Sequence, residues 1–224
     1  MNKTAIILFA HLPEFEARAK SLSYFSSKKI TQKISNVLTQ HFYNLANKTT
    51  ADTFLIDSYH QKGKIFGERI ANAFSDVYAK GYENIICIGN DCPSLKINQL
   101  QTAIDETEKG NVVLGPTFDG GAYLIGIPST HFQKGSFENI NWQNRKTYKD
   151  LKNLYRSFVS ELEILADIDS AKAISLINPE NSILRIINQI IKDFKSNFQM
   201  VKQPFKIDFF FISGDFLKGP PAIA

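Results

Sequence analysis

The stretch from Asn84 to Pro93, Asn-Ile-Ile-Cys-Ile-Gly-Asn-Asp-Cys-Pro, places a single carboxylate directly after an apolar run. The run from Asn84 to Gly89 is typical of a strand that is buried on both faces. Pro93 favours an extended conformation for the residue before it, so no helix is expected to start at Asp91. We therefore expect Asp91 to lie where a buried strand ends.

Similar apolar runs recur along the chain and alternate with amphipathic helical patterns. Strands are predicted at 4–10, 52–57, 84–89, 111–115 and 122–127, with a strand-like segment at 160–169. Helices are predicted at 30–46, 65–81, 96–110, 147–156, 170–177 and 181–198. This alternation predicts an α/β fold with a mostly parallel central sheet covered on both faces. Right-handed crossovers then place the carboxyl ends of the strands on one edge, where ligands bind in open sheets.

The bulk composition excludes several classes of protein. The chain has 224 residues, of which 43% are hydrophobic and 21% charged, and its formal charge of +4 is spread along the sequence. This predicts no nucleic-acid partner and, at most, small anionic ligands. No stretch approaches the ~20 apolar residues of a membrane helix. The two cysteines, Cys87 and Cys92, form neither a disulfide framework nor a zinc set, so we expect a cytoplasmic protein.

Two alternatives exist for the carboxylate of Asp91. A hard cation such as Mg²⁺ or Mn²⁺ takes one or two carboxylates together with phosphate oxygens and water, and Asp91 at the ligand edge is suited to that role. Gly89 allows the backbone to approach a ligand closely. Alternatively, Asp91 caps a following helix, although Ser94 is better placed to do so. We favour the metal role.

The segment Val113–Ile127 contains a second acidic motif, Asp119-Gly120-Gly121. An Asp-Gly pair between apolar strands is a strong hairpin signal. The seven residues between Leu114 and Ala122 are too many for a two-residue turn, however. An acid beside a glycine pair also suits a backbone that approaches a sugar or phosphate, so both interpretations remain open.

Together these motifs resemble one bacterial family. Gly89–Pro93, followed by Leu114–Pro116 and Asp119–Gly126, is similar to a group of uncharacterised glycosyltransferases that are often described as radical-SAM/selenodomain-associated transferases. That group belongs to the nucleotide-diphospho-sugar transferase superfamily, which implies a three-layer, Rossmann-like GT-A fold. Further similar segments are Gly67–Arg69, Trp142 and Ala166–Ile174.

The resemblance implies a set of site residues. Asp91 would bind a divalent metal, Mg²⁺ or Mn²⁺, that bridges nucleotide phosphates, with Asp167 or Asp169 as the second acidic group. Asp169 could instead cap a helix. Asp119 is the most plausible base for the acceptor, and the remaining substrate-binding residues would be Arg18, Lys20, Arg69, Gly89, Gly120, Gly121 and Trp142. Arg69 and Trp142 also have ordinary explanations, a solvated pair with Glu68 and core packing respectively.

The first loop departs from the superfamily pattern. There the first strand is followed by a glycine-containing loop that ends in a Lys-Thr-Arg-type run and holds the nucleotide phosphates. Here the glycine is missing, and Glu14 and Glu16 would each oppose a diphosphate by about 1 kcal/mol. Arg18 and Lys20 could supply the missing cations.

The predicted function is that of a metal-dependent glycosyl- or nucleotidyltransferase acting with an NTP or nucleotide-sugar. The alternative is a catalytically degenerate GT-A-fold module for binding or assembly, and a weaker one is a flavodoxin-like domain. Residues 1–200 are predicted to form the transferase-like domain. The apolar tail, 201–224, contains Phe209, Phe210 and Phe211 and is expected to form a final strand or a homodimer interface.

Overall fold

The computed structural model describes residues 4–22, 27–176 and 182–201. Side chains are described up to residue 174 in the second range and up to residue 196 in the third. The strands are β1 Thr4–Phe9, β2 Asp52–Ile56, β3 Asn84–Ile88, β4 Val112–Pro116, β5 Ala122–Pro128 and β6 Val159–Glu161. The helices are α1 Pro13–Ala19, α2 Lys28–Ala46, α3 Phe66–Tyr78, α4 Ile97–Glu108, α5 Lys134–Glu138, α6 Thr147–Tyr155, α7 Ala171–Leu176 and α8 Ser182–Val201. The predicted tail interface lies outside the described residues.

The six strands form one sheet in the order β2-β1-β3-β5-β4-β6. Strand β1 pairs in parallel with β2 and β3, and β4 pairs in parallel with β6. The predicted α/β fold with a mostly parallel sheet is confirmed. Strand β5 is the exception because it is antiparallel to both of its neighbours, β3 and β4. The expectation that every strand ends on one edge is therefore wrong for β5.

The reversal of β5 follows from the loop that precedes it. Strands β4 and β5 pair up to Pro116 and Ala122, so residues 117–121 form a five-residue hairpin loop. A hairpin returns the chain along its neighbour, whereas a parallel neighbour needs a long crossover. The amino end of β5 thus lies at the same edge of the sheet as the carboxyl ends of β1 and β3.

Apolar side chains cover both faces of the sheet, as the continuous apolar runs predicted. Ile6, Leu8 and Ile86 belong to a buried cluster with residues of α2, α4 and α8. Ala5, Ile7 and Ile85 belong to the cluster on the opposite face, with residues of α3, α5 and α6. Successive strand residues alternate between the two clusters because side chains of a strand point to opposite faces in turn.

Two helices lie in segments that the hydrophobic pattern did not assign. They are α1, which follows β1 directly, and the five-residue α5. Both are too short to show a helical period over more than about two turns. Among the described residues, no helix combines the length and the apolar character that crossing a bilayer requires.

Candidate functional site

A cavity of about 470 Å³ opens at the edge of the sheet where β1 and β3 end and β5 begins. It is bordered by the loop after β1, the loop after β3 and the β4–β5 hairpin loop. The segment 142–147 and the segment 165–169 before α7 complete its walls. Its position matches the rule that ligands bind outside the carboxyl ends of the strands in open sheets.

Asp91 lines this cavity, as the sequence predicted. Its side chain is 31% exposed, and Oδ2 accepts a hydrogen bond from Lys20 Nζ at 3.0 Å. Gly89 makes room for it, because a Cβ at that position would lie 3.0 Å from Asp91 Oδ1. Helix α4 begins at Ile97 with Lys96 at its N-cap, so neither Asp91 nor Ser94 caps it.

Asp119 reaches the same cavity from the hairpin loop. Its Oδ1 accepts hydrogen bonds from Thr117 Oγ1 and from the backbone N–H of Gly121, which fix the carboxylate within the loop. The hairpin interpretation of this motif is correct, and the loop also borders the cavity, whereas its approach to a sugar or phosphate stays a prediction. Gly121 lines the cavity as well.

Gly120 has a different role from the expected one. It does not line the cavity, and its φ of +91° is in a region that L side chains rarely adopt. A Cβ there would lie 2.1 Å from the carbonyl oxygen of Arg145. Glycine at this position lets the hairpin loop and the segment around Arg145 approach each other, which brings Arg145 to the cavity.

The segment before α7 delivers two more acids, Asp167 and Asp169. The backbone N–H of Leu165 donates to Pro116 O at 3.1 Å, and that of Ile168 donates to Asp91 O at 2.7 Å. These bonds tie the segment to the ends of both β4 and β3. The acids are thereby held beside residues that are distant in sequence.

Asp119, Asp167 and Asp169 form an acidic cluster. One carboxylate oxygen from each lies within 4.8 Å of the others. Burial raises the pKa of Asp167 to about 7, and the neighbouring Asp169, Asp119 and Asp91 carboxylates add to the effect. Burial and neighbouring negative charge both disfavour the ionised form of a carboxyl group. Three carboxylate donors suit a hard divalent cation such as Mg²⁺ or Mn²⁺.

The two leading acids have different neighbours from those that the sequence analysis expected. Asp119, expected to be a base, lies in the acidic cluster with Asp167 and Asp169. Asp91, expected to be the principal metal ligand, pairs with Lys20 instead. Asp169 takes part in both arrangements because its Oδ1 lies 2.7 Å from Lys20 Nζ. It does not cap α7, since Ser170 Oγ accepts from the backbone N–H of Ala173.

Helix α1 directs Glu16 toward the cavity and Arg18 away from it, and Lys20 follows as the C-cap residue. Residues four apart share a face of a helix, whereas residues two apart lie on nearly opposite faces. Glu16 and Lys20 line the cavity. Arg18 is exposed, with its guanidinium carbon 5.1 Å from the centre of the Phe15 ring. The placement therefore does not bring Arg18 to the substrate site that the sequence predicted for it.

Arg69 is not among the residues that line the cavity. Among the described residues its Nε is buried without a hydrogen-bond partner. It is close enough to His11 to lower the pKa of that imidazole, an effect that adds to the larger one of burial. The predicted pair with Glu68 does not form, because Glu68 Oε2 accepts from the backbone N–H of Lys64 at 2.6 Å.

Trp142 both packs and lines the cavity. Its ring lies 4.9 Å from that of Phe137 and 5.5 Å from that of Phe66, measured between centroids. Its Nε1–H donates to Phe137 O at 2.9 Å. Gly67 allows this packing, because a Cβ there would lie 2.8 Å from Trp142 Cδ1. The core interpretation of Trp142 is correct, and its exposed part is available to a ligand.

Sequence reasoning missed several lining residues, among them His11, Thr117 and Arg145. His11 follows β1, so the rule used for Asp91 would have found it. Its Nδ1 lies 3.1 Å from Ser58 Oγ. It also borders a second cavity of about 310 Å³, which includes Asp57 at the end of β2 and residues of α2.

The main cavity has an excess of negative charge. Five carboxylates line it, those of Glu16, Asp91, Asp119, Asp167 and Asp169, and the cations among its lining residues are Lys20 and Arg145. The formal excess is thus three negative charges. A polyphosphate could enter only together with additional positive charge, because like charges in a partly buried site repel each other strongly.

The fold and this site can now be compared with known structures. The chain is similar to a protein from Desulfovibrio desulfuricans G20 described as a "putative nucleotide-diphospho-sugar transferase", with 21% identity and a TM-score of 0.71. The alignment covers 87% of this chain and 99% of that one. The two chains share one fold. At this identity the similarity establishes the architecture and leaves the activity to be argued from the site.

A family model described as "Uncharacterized protein conserved in bacteria (DUF2064)" matches residues 36–144, just under half of the chain. That range includes the loop after β3 and the β4–β5 hairpin, the two motifs with which the sequence analysis began. No curated protein matches the sequence.

Two more distant structures have TM-scores below 0.5 and support no conclusion about this chain. The manganese complex of Rv0371c from Mycobacterium tuberculosis H37Rv is 13% identical, covers 77% of this chain and 96% of its own, and has a TM-score of 0.43. CMP:2-keto-3-deoxy-manno-octonic acid synthetase complexed with CTP is 9% identical, covers 84% and 99%, and has a TM-score of 0.42.

Proposed function

We propose that this chain is a metal-dependent glycosyl- or nucleotidyltransferase that uses an NTP or nucleotide-sugar donor. The observation that supports this most directly is the acidic cluster of Asp119, Asp167 and Asp169 at the ligand edge of the sheet. The radical-SAM/selenodomain-associated subgroup that the motifs resemble stays a prediction.

The residues present fit a divalent ion of the Mg²⁺ or Mn²⁺ type. Three carboxylates converge within reach of one cation, and burial together with the acidic neighbours raises the pKa of Asp167. When bound, such an ion would neutralise donor phosphates and stabilise the leaving diphosphate. The reaction class is a displacement at phosphorus or at an anomeric carbon.

The remaining lining residues would hold the substrate. Lys20 and Arg145 line the cavity and could contact phosphate oxygens, and the Trp142 ring also lines it. His11 separates this cavity from the second one, where Asp57 and the polar side chains of α2 offer hydrogen bonds to a nucleoside. The two cavities share Ala10 and His11, so a single donor could extend across both.

A thermal-shift series tests the proposal. Wild-type protein is combined with Mn²⁺ or Mg²⁺ and with NTPs or UDP-, GDP-, CDP- and dTDP-sugars. A saturating ligand at 100 times its Kd stabilises by about 2.7 kcal/mol, which amounts to roughly 5–11 °C for a chain of this size. The shift should require metal and a donor, and it should disappear in Asp169→Ala. The matched control is Asp105→Ala, an exposed acid on α4.

A second candidate is a binding or assembly module that has lost turnover. The observation that favours it is the contact of Lys20 with both Asp91 and Asp169, which places a protein cation among the acids. The two candidates differ in chemistry. A transferase hydrolyses its nucleotide-sugar slowly to free nucleotide, or exchanges pyrophosphate into NTP, in the presence of metal. A module shows the thermal shift with neither reaction, and no shift with any donor contradicts the transferase.

A further inference from the structure

The ammonium of Lys20 is shared by three carboxylates. Its Nζ lies 2.7 Å from Asp169 Oδ1, 3.0 Å from Asp91 Oδ2 and 3.3 Å from Glu16 Oε1. The three acids come from different parts of the chain, namely the segment before α7, the loop after β3 and helix α1. Lys20 therefore links Asp91, in the loop after β3, to Asp169, in the segment before α7.

Glu16 holds the Lys20 side chain in place through an ion pair. Its side chain is only 8% exposed, and Lys20, the C-cap residue of α1, follows it by four residues. A buried carboxylate needs a cation or several hydrogen bonds to remain charged at a tolerable cost. Burial alone would lower the pKa of Lys20, but the charges of Asp91, Glu16 and Asp169 raise it above its ordinary value. Lys20 thus stays a cation at every pH used for assays.

The carboxylate of Asp169 belongs to two arrangements that cannot both use it fully. It is a member of the acidic cluster with Asp119 and Asp167, and it also accepts a charged hydrogen bond from Lys20. A divalent ion in the cluster would share this ligand with an ammonium group and would lie close to its positive charge. Both effects oppose the binding of a bare metal ion.

We infer that Lys20, held by Glu16, is an internal competitor of the divalent metal, and that donor phosphates relieve the competition by drawing the ammonium away from Asp169. This inference rests on the proposed function, in which Lys20 contacts the donor phosphates and Glu16 is a positioning residue that acts through Lys20. The metal then binds weakly alone and tightly together with a polyphosphate. In this arrangement the side chain of Lys20 takes the role that backbone N–H groups have in a phosphate-binding loop.

The first test measures Mn²⁺ binding alone, from the electron paramagnetic resonance signal of free Mn²⁺. Lys20→Met should bind Mn²⁺ about tenfold more tightly or better than wild type, because a positive charge next to a ligand is removed. Lys20→Arg keeps the charge and should resemble wild type. Glu16→Gln should bind more weakly, since a nearby negative charge is lost. Lys109→Met, at an exposed pair with Glu106, is the matched control and should change nothing.

Lys20→Met leaves Glu16 buried without its cation, so the double variant Glu16→Gln/Lys20→Met keeps the test valid if the single variant fails to fold. It should bind Mn²⁺ more tightly than Glu16→Gln alone. Structural damage would weaken metal binding, whereas the inference requires a gain. The inference is overturned if Mn²⁺ binding is unchanged or weaker both in Lys20→Met relative to wild type and in Glu16→Gln/Lys20→Met relative to Glu16→Gln. It is also overturned if no variant binds Mn²⁺.

The second test uses inorganic pyrophosphate at saturating Mn²⁺, measured by isothermal titration calorimetry. Lys20→Met should bind the pyrophosphate about tenfold more weakly, because a charge-assisted contact is lost. If Lys20→Met gains Mn²⁺ affinity but no form of the protein binds pyrophosphate or a donor, the competition stands and the proposed transferase fails. If wild type binds metal and donor but Lys20→Met gains no affinity for Mn²⁺, the transferase stands and the competition fails.

Discussion

Replacing Asp167 by asparagine should stabilise the metal-free protein at pH 8. Burial raises the pKa of this carboxyl from its ordinary 3.8 to about 7, and the adjacent acids contribute. Above pH 7 the side chain is ionised in both states, and the folded state bears the cost of holding that charge beside Asp169 and Asp119. Asparagine resembles the protonated acid in shape and can still donate a hydrogen bond to Asp169.

The size of the effect follows from the difference between the two pKa values. At 1.36 kcal/mol for each pH unit, the full difference corresponds to roughly 4 kcal/mol. Asp167 is only partly buried and shares its proton with a neighbouring acid, so solvent screening reduces the expected gain to about 1–2 kcal/mol. For a chain of this length that gain raises Tm by about 2–8 °C.

The sign with pH is fixed by linkage. Between pH 3.8 and 7 the folded state keeps a proton that the unfolded state releases, so wild-type stability falls as the pH rises through this window. The advantage of Asp167→Asn should therefore be small near pH 4 and complete at pH 8. Urea unfolding in the presence of a chelator, at both pH values, measures it. Mn²⁺ should stabilise the wild type and leave the variant unchanged.

Asp169→Asn is the matched control because its effect should have the opposite sign. Burial opposes ionisation of Asp169, but the hydrogen bond and the charge of Lys20 together lower its pKa below the ordinary value. Loss of that carboxylate removes a favourable charge pair and should destabilise the protein at pH 8. If both variants shift stability in the same direction, or if Asp167→Asn is less stable than wild type at pH 8, the electrostatic account of the cluster is wrong.

Three further outcomes are expected. In urea unfolding, Gly120→Ala should lose about 2–3 kcal/mol, because its Cβ would meet main-chain atoms at 2.1 Å. Gly110→Ala, which has a similar φ of +94° but open space around it, should lose only about 1 kcal/mol. Equal losses in the two variants would contradict this steric explanation. Mn²⁺ affinity, measured by calorimetry, should rise from pH 5.5 to about 7 and then level off, since a proton must leave Asp167, and a flat profile would count against that linkage. Phe137→Ala, at a fully buried ring, should cost about 3–5 kcal/mol of unfolding free energy, while Phe118→Ala, at a ring that is 71% exposed, should change it by less than about 0.5 kcal/mol.

The local pattern predicted the elements of the sheet but not the direction of every strand. Continuous apolar runs identified β1, β3, β4 and β5, because a strand covered on both faces needs apolar side chains on both. The pattern reads the same in either direction along the sheet, so it could not show that β5 is reversed. That direction depends on whether the five-residue loop 117–121 closes a hairpin, which the pairing of Pro116 with Ala122 establishes.

The candidate site was also predicted only in part, because the local pattern marks single residues and not their partners. The position of Asp91 after a buried strand and of Asp119 in a glycine-rich loop marked them as residues of the ligand edge, and the structure brings both to one cavity. Their partners were assigned differently. The sequence suggested Asp91 as the metal ligand, whereas the fold groups Asp119 with Asp167 and Asp169 and gives Asp91 to Lys20.

By itself, the sequence determined where the buried strands run and which acids follow them. These are properties of neighbouring residues, set by burial and backbone geometry over a few positions. Only the tertiary structure decided that Lys20 meets Asp169, because two main-chain hydrogen bonds, from Leu165 and Ile168, fasten a late segment to the ends of β4 and β3. Contacts between residues so far apart depend on how the whole sheet is assembled, and no local pattern encodes them.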